Sequence, residues 1–367
     1  MPEEQKKISQ PPRPWLAFAR GVLLILLIFE LVIRLFIMKN PLVEYKPGWG
    51  IIPVPDSYSV HGLEGFAVTH YLANGEIVTP YQDGVSIVVL GDSTTKAAQV
   101  PSHLNYVSLT ETALRKRGLH ADLHNLGIPG RSIADYVNLA PYVQKEYAPE
   151  IIVFQVNPAH FFFARDERQP NHFVDLGNGQ LDLVVGQPEQ NRSLAFRNFI
   201  SYSGLLTLLD FRLRNMLVPH APDLNGAGLA GEGQGETEAQ LARKNNPQLA
   251  LREYGEAILP QIQALQAAYP NSKLVFLVIP YTPTFPSTPD QKIGWISAGD
   301  HLLARALFFM GDVYIVYTLD AFQDLYAREH ILPRGTWNSA FNYGHLNAQG
   351  HAAVANELTK TLEELLK

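Results

Sequence analysis

The sequence predicts an α/β protein, a three-layer α/β/α sandwich on a mostly parallel five-stranded sheet, with one transmembrane helix at its N-terminus. Three observations predict it. From Val85 onward, short apolar runs bounded by turn residues alternate with longer helical patterns. The runs are continuously apolar, which is typical of strands buried on both faces of a sheet. Near the N-terminus, one apolar stretch is long enough to cross a bilayer.

The composition allows a sizeable core and excludes several classes of function. Of the 367 residues, 46% are apolar and only 17% are charged. Lys plus Arg is 29 and Asp plus Glu is 35, so the net charge is −6. This balance argues against nucleic-acid binding, which needs a basic surface. The absence of cysteine excludes disulfides, thiolate metal sites and cysteine nucleophiles, and the histidines lack metal-ligand spacing, so we expect no metal and no cofactor.

The first segments differ from the rest of the chain. Residues 1–14 are polar and Pro-rich and are predicted to be a disordered tail. Residues 15–38 are predicted to form a transmembrane helix, about 36 Å long at about 1.5 Å per residue. Glu30 and Arg34 are four residues apart and can pair on one helix face. An interfacial helix, a cleaved signal peptide and a buried core helix are the alternatives.

The basic residues predict the orientation of this helix. Four lie on its N-terminal side and two beyond its other end: Lys6, Lys7, Arg13, Arg20, then Lys39 and Lys46. The positive-inside rule favours a cytoplasmic N-terminus. We therefore expect a single-pass protein of the cell membrane with its main folded body outside the cytoplasm.

The remaining chain divides into a connecting segment and one large domain. Residues 39–84 are rich in Pro, Gly and aromatics and are predicted to be an irregular stalk with short strands. Residues 85–367 form the predicted α/β domain. Its five strands are predicted at 86–90, 121–126, 150–156, 273–279 and 313–319. Its helices are predicted at 105–117, 133–147, 249–268, 298–309 and 348–366.

An insertion interrupts the alternation at about 160–246. It contains a helical pattern over 194–216 and a Gly-rich stretch over 225–235, which we expect to be flexible. The Gly-rich stretch is not a phosphate loop, because no strand precedes it and no GK[ST] follows it.

The candidate site residues follow the predicted strands. In open α/β sheets, ligands bind beyond the carboxyl ends of the strands. Gly91-Asp92-Ser93 follows the first strand, Asn125-Leu126-Gly127 closes the second, and Asn157 follows the third. Asn342 and His345 precede the last helix. Their order and their positions predict one site at this edge of the sheet.

These motifs resemble those of the SGNH/GDSL hydrolase superfamily, and the resemblance covers about 86–366, interrupted by the insertion. It implies a flavodoxin-like fold with Ser93 as the nucleophile and His345 as the base, supported by the fit of the closing HLNAQGH segment. It also implies an oxyanion hole made by Ser93, Gly127 and Asn157. Serine needs a base to accept its proton, and the oxyanion of the tetrahedral intermediate needs hydrogen-bond donors.

Two positions depart from the family pattern. The third block reads Gln155-Val156-Asn157-Pro158, without the usual glycine and aspartate. In the last block the usual aspartate is replaced by Asn342, which we place in the catalytic group as the residue that orients His345. The alternatives are a dyad oriented by a backbone carbonyl, a carboxylate from elsewhere such as Asp320 or Glu329, and a degenerate site.

The sequence allows only general interpretations of Asp92 and of the aromatic run that follows Asn157. Asp92 is expected to cap or brace the turn rather than to take part in a catalytic step. The run His160-Phe161-Phe162-Phe163 either walls the acyl pocket or packs the insertion, and His160 alone is expected to be a surface or satisfied histidine.

The sequence thus predicts a membrane-anchored serine esterase or O-acyltransferase that acts through an acyl-enzyme. The expected partners are the lipid bilayer and an acyl ester or polysaccharide of the cell envelope. A lipid esterase and a catalytically inactive binding or assembly module are the alternatives.

Overall fold

The N-terminal apolar stretch forms a single helix. The computed structural model describes residues 14–177, 179–186, 192–217, 247–280, 295, 298–311, 313–339 and 344–367. Helix α1, Pro14–Val32, continues as a π-helical turn, Ile33–Ile37. Together they form 24 residues that contain an 18-residue window with a mean hydropathy of 2.5, and most of their side chains are exposed. This helix is long and apolar enough to cross a membrane, whether as a span or as a signal sequence.

Five short strands follow α1 and pack into the domain. They are β1 Met38–Lys39, β2 Val43–Lys46, β3 Gly50–Pro53, β4 Tyr58–His61 and β5 Ala67–His70. β1, β4 and β5 form one antiparallel sheet, and β2 and β3 form another. Trp49 and Ile52 are buried in the main hydrophobic core. The short strands were predicted, but residues 39–84 are part of the domain surface layer rather than a stalk.

The remaining chain alternates strands and helices. The strands are β6 Val85–Gly91, β7 Ala121–Gly127, β8 Ile151–Val156, β9 Asn171–Gly177, β10 Gln180–Val185, β11 Lys273–Val278 and β12 Tyr314–Tyr317. The helices are α2 Ser93–Lys96, α3 Tyr106–Lys116, α4 Ile133–Tyr147, α5 Pro158–Phe163, α6 Arg192–Ser201, α7 Gly204–Leu217, α8 Pro247–Ala268, α9 Ala298–Phe308, α10 Leu319–Glu329 and α11 Ala348–Leu366.

The central sheet has five parallel strands in the order β12-β11-β8-β6-β7. Every residue of β8 is buried, as its continuous apolar run predicts. Helices α4, α8 and α9 contribute to the core on one face, and α3, α10 and α11 to the core on the other. The three-layer sandwich and its five strands are therefore confirmed.

The insertion is partly structured. It begins with helix α5 and the antiparallel hairpin β9–β10, which the sequence did not predict. Helices α6 and α7 account for the helical pattern predicted over 194–216. The Gly-rich stretch 225–235 and the tail before residue 14 lie outside the described residues.

The strand order determines where a site can form. β6 lies between β7 and β8, so the chain moves outward in opposite directions from this strand. The diverging loops leave a crevice beyond the carboxyl ends of β6 and β8, which is where ligands bind in sheets of this order. Ser93 follows β6 and Asn157 follows β8.

Candidate active site

Ser93 is the first residue of a one-turn helix that begins where β6 ends. Asp92 caps this helix, because its Oδ1 accepts a hydrogen bond of 2.7 Å from the Thr94 amide. The cap expected for Asp92 is thus present. The amide of a residue at a helix start has no acceptor within its own helix. Ser93 therefore combines an Oγ at the crevice with a backbone N–H at a helix N-terminus.

His345 lies within hydrogen-bond distance of Ser93. Its Nε2 is 2.9 Å from Ser93 Oγ, although the two residues are 252 positions apart in the sequence. Both residues line a cavity at the carboxyl edge of the sheet, together with Asp92, Thr94, Gln155, Asn157, Ile279, Arg334 and Gly344. The structure therefore brings the predicted nucleophile and base together in an open crevice.

The other imidazole nitrogen of His345 is bonded to a residue that the sequence did not indicate. Nδ1 donates to Glu64 Oε2 at 2.7 Å, and the His345 backbone amide donates to Glu64 Oε1 at 2.5 Å. Glu64 belongs to the loop between β4 and β5, 281 positions before His345. The carboxylate accepts both bonds at once, so it fixes the ring's position and its tautomer.

Glycine at position 344 makes this contact possible. Gly344 has a φ of +91°, and a Cβ there would clash with the Glu64 carboxylate. Only glycine adopts this conformation readily and leaves room for the carboxylate. The residue immediately before His345 is therefore matched to a glutamate from a distant loop.

The Glu64 loop is held against the segment that precedes His345. The Gly65 amide donates to Thr336 Oγ1 at 2.8 Å and to Asn338 Oδ1 at 2.6 Å. Asn338 Nδ2 donates back to the carbonyls of Gly62 and Gly65 at 2.9 and 3.1 Å. These bonds join the Glu64 loop to residues 336–338. They therefore position the Glu64 carboxylate before any substrate binds.

Glu64 is charged under ordinary conditions. Burial raises the pKa of this carboxyl, but the hydrogen bonds and the charge of His345 outweigh burial, and the pKa lies below its usual value. A charged Glu64 can stabilise an imidazolium on His345, which an amide cannot do.

Glu64 stands where the sequence interpretation placed a different residue. Asn342, predicted to orient His345, lies outside the described residues. The suggested carboxylates Asp320 and Glu329 lie in helix α10, and within the described structure the acid bonded to Nδ1 is Glu64. The sequence offered a single indication of such a residue, which was the absence of the family's usual aspartate at position 342. That absence implies that a carboxylate comes from elsewhere in the chain.

Asn157 caps helix α5 and is also bonded to Asp92, the cap of helix α2. Its Oδ1 accepts from the His160 amide at 3.2 Å, and its Nδ2 donates to Asp92 Oδ2 at 3.3 Å. The same Asp92 oxygen accepts a bond of 3.0 Å from His160 Nε2. Asn157 lines the cavity beside Ser93, so its amide group can approach an oxyanion there.

His160 is a buried partner of Asp92 rather than a surface residue, with 4% of its surface exposed. In the run that follows, Phe161 is buried and Phe162 is 59% exposed. Neither His160 nor Phe161 nor Phe162 is among the described residues that line the cavity. The geometry thus favours packing over an acyl-pocket wall for this run.

Gly127 occupies a structural position in this arrangement. Its amide donates to Asn125 Oδ1 at 3.1 Å, and it is absent from the described lining of the cavity. A Cβ on Gly127 would collide with the backbone of Thr95 and Lys96. The glycine therefore lets helix α2 pack against β7, and we do not assign its amide to the oxyanion hole.

The Asp92–His160 pair makes a testable contribution to stability. Burial raises the pKa of Asp92, but the bond and charge of His160 and the bonds from Thr94 outweigh it and lower the pKa from 3.8 to about 2. A depressed carboxyl pKa stabilises the fold above pH 3.8, and this stability is lost as the pH falls through about 2.

We expect Asp92→Asn to lose about 2 kcal/mol of stability at neutral pH, since one pKa unit corresponds to about 1.4 kcal/mol. Thermal melts of both proteins from neutral to acid pH measure this, and the gap in melting temperature should narrow below the ordinary carboxyl pKa. A gap that stays constant across this range would contradict the assignment.

The described residues contain no cluster of three or more His, Asp or Glu side chains that would hold a metal ion. The chemistry available at the site is that of the serine hydroxyl, the imidazole, the carboxylate and the amide donors.

Among known proteins, similarity to this chain is found at the level of solved structures. No protein-family model and no curated protein matches the chain. Among solved structures, it is similar to TesA, with 13% identity and a TM-score of 0.38 over 76% of this chain and 99% of that one. It is also similar to a member of the lipolytic protein G-D-S-L family from Veillonella parvula, with 10% identity and a TM-score of 0.37 over 76% and 99%. A family 3 carbohydrate esterase from Clostridium thermocellum gives 12% identity and a TM-score of 0.35 over 77% and 98%.

Proposed function

We propose that this protein is a membrane-anchored serine esterase whose catalytic residues are Ser93, His345 and Glu64. The observation that carries the proposal is the continuous chain of hydrogen bonds from Ser93 Oγ through the imidazole to Glu64, with distances of 2.9 and 2.7 Å. This is the arrangement of nucleophile, base and orienting acid that acyl transfer requires.

The reaction begins at the serine hydroxyl. His345 Nε2 accepts the proton of Ser93 Oγ as the oxygen attacks the ester carbonyl carbon, and the carbonyl oxygen becomes an oxyanion. His345 then returns the proton to the leaving alcohol oxygen, and the acyl group remains on Ser93. Glu64 stays ionised throughout and stabilises the imidazolium that forms between these two transfers.

The acyl-enzyme is resolved by a second hydroxyl compound. His345 removes a proton from the acceptor, the acceptor oxygen attacks the acyl carbon, and Ser93 leaves with the proton returned to its Oγ. Water as the acceptor gives hydrolysis, and a sugar hydroxyl gives O-acyl transfer. Both outcomes use the same residues, so the acceptor that reaches the crevice determines which reaction occurs.

Two donors are available for the oxyanion. The Ser93 amide lies at a helix N-terminus, and the Asn157 amide group lines the same cavity. A single donor of this kind commonly contributes about 3 kcal/mol to transition-state stabilisation.

The role of Asn157 can be tested without removing its helix cap. Serine also caps helices well, so Asn157→Ser keeps an acceptor for the His160 amide and removes the amide donor, including its bond to Asp92 Oδ2. We expect kcat for p-nitrophenyl acetate to fall by about 10²–10³ with little change in KM, because the interaction forms mainly in the transition state. A melting temperature close to that of the wild type is the control. An unchanged kcat in a folded variant would remove Asn157 from the oxyanion hole.

We further propose that the substrate is an acyl ester of a cell-envelope carbohydrate, processed outside the cytoplasm. Helix α1 supports attachment to the membrane, and the basic residues before it support a cytoplasmic N-terminus. The carbohydrate preference is supported only by the resemblance and by this location.

A panel of substrates tests this proposal. Acetylated oligosaccharides, p-nitrophenyl esters of increasing chain length and lysophospholipids are offered to the reconstituted protein. Release of acetate, or its transfer to an unacetylated oligosaccharide, supports the carbohydrate substrate. A preference for long acyl chains would instead identify a lipid esterase.

A further inference from the structure

Helices α6 and α7 of the insertion are fastened to the end of the apolar helix. The Glu30 carboxylate accepts hydrogen bonds from Ser203 Oγ at 2.8 Å and from the amides of Gly204 and Leu205 at 2.7 and 3.0 Å. Gly204 packs so closely against Ile33 and Arg34 that a Cβ would have to displace them. The start of α7 is therefore tied to the place where α1 ends.

Helix α6 is attached to the next segment of the chain. Asn198 forms a two-way pair with the backbone of Val43, with both bonds at 2.8 Å. Val43 begins strand β2, a few residues after the π-helical turn. Both helices thus lie beside the juxtamembrane segment 30–46.

The two helices expose large apolar side chains. Those exposed by 41–65% are Phe196, Phe199, Tyr202, Leu205, Leu209 and Leu213. Phe196 and Phe199 are three residues apart in α6 and Tyr202 directly follows that helix, while the three leucines are four apart and lie along one side of α7. Neighbouring exposed apolar side chains are typical of contact surfaces.

The charge of this segment has the opposite sign to that of the whole protein. Between residues 192 and 217 there are four arginines and one aspartate, so the segment carries 4 − 1 = +3, against −6 for the chain. The basic residues are Arg192, Arg197, Arg212 and Arg214. Apolar and aromatic side chains combined with arginines are typical of helices that lie in the interface of an anionic membrane.

We infer that α6 and α7 form a second membrane contact, with the exposed apolar side chains in the headgroup region of the bilayer that holds α1 and the exposed Arg197 and Arg212 on anionic phospholipids. This inference rests on the proposed membrane span. Its occupant is lipid rather than protein, because the surface continues from the end of the span and its charge is complementary to anionic headgroups. Two attachments on one surface hold the domain in a fixed orientation, which a single helix alone does not.

The absence of cysteine permits a direct test on the full chain, because each introduced thiol is the only one. Phe199→Cys and Leu209→Cys each receive an environment-sensitive NBD label. Leu27→Cys in α1 is the reference for the span, and Lys360→Cys on α11, where the side chain is 62% exposed, is the water-exposed control. The labelled proteins are reconstituted in phosphatidylcholine vesicles with and without phosphatidylglycerol.

We expect labels at positions 199 and 209 to show blue-shifted emission and quenching by lipids that carry a spin label near the headgroup, more strongly with phosphatidylglycerol. The label at 27 should be quenched by deeper spin labels, and the label at 360 by neither. Water-like emission at 199 and 209 with a quenched label at 27 would overturn the inference and leave the span intact. A blue shift without lipid quenching would also overturn it, because it would indicate contact with protein.

The same samples separate this inference from the proposed function. An unquenched label at 27 would refute the span, and with it the second membrane contact. Hydrolysis of p-nitrophenyl acetate is measured separately on the unlabelled protein. If that protein is inactive while the labels at 199 and 209 are quenched by lipid, the proposed esterase activity is refuted and the membrane contact remains.

Discussion

Ser93→Ala is expected to lower kcat/KM for p-nitrophenyl acetate by about 10⁴ or more and to leave the fold unchanged. The reason is that the hydroxyl is the atom that forms the acyl-enzyme, and removal of a nucleophile commonly eliminates nearly all of the catalysis that the three residues provide together. The measurement is steady-state hydrolysis, with the melting temperature as the check on folding.

A covalent probe gives an independent readout for the same variant. A fluorophosphonate should label the wild type and fail to label Ser93→Ala, because the probe reacts with an activated serine oxygen. Ser102→Ala is the matched control, since Ser102 is a nearby serine in a short 3₁₀ helix. Equal labelling of wild type and Ser93→Ala would show that another residue is the nucleophile.

Glu64→Gln is expected to produce the second large effect, a loss of about 10³–10⁴ in kcat. Glutamine retains the length of the side chain but can present an N–H to Nδ1 and favour the wrong tautomer. In an unrelated serine protease the equivalent acid-to-amide change costs about 10⁴. KM should change little, because Glu64 contacts the imidazole rather than the cavity.

Three further variants make this prediction specific to Glu64. Asp320→Asn and Glu329→Gln should retain wild-type activity, since neither residue bonds His345 Nδ1 in the described structure. Asn342→Asp should give no large gain, because Nδ1 already has a carboxylate partner. A large gain from Asn342→Asp, together with an active Glu64→Gln, would return the orienting role to position 342.

The sequence was most informative where structure is determined locally. Helices α4 and α11 have the bounds that their patterns predict, 133–147 and 348–366. Apolar runs identified the five central strands, most clearly β8 and β11, where burial on both faces leaves no alternation. Helix α10 was not predicted, and this short helix follows directly after β12 with no loop to separate the two patterns.

The interpretation of residues 39–84 was less successful for a physical reason. Short strands were expected in this segment, but strands of two to four residues carry too little pattern to fix their positions. The pairing of β1 with β4 and of β4 with β5 depends on contacts within a folded layer. Trp49 and Ile52 are buried only because that layer packs onto the domain core. Composition alone therefore suggested a stalk.

The sequence by itself determined the layered α/β fold and the apolar N-terminal helix, which follow from local periodicity. Motif order along successive strand ends singled out Ser93 and His345, and the resemblance to the SGNH/GDSL superfamily implied their proposed roles as nucleophile and base. Only the tertiary structure decided the acid, because Glu64 meets His345 across 281 positions through the docking of the β4–β5 loop on residues 336–338. A contact of that kind depends on how two irregular segments pack, and neither segment carries a pattern that encodes its partner.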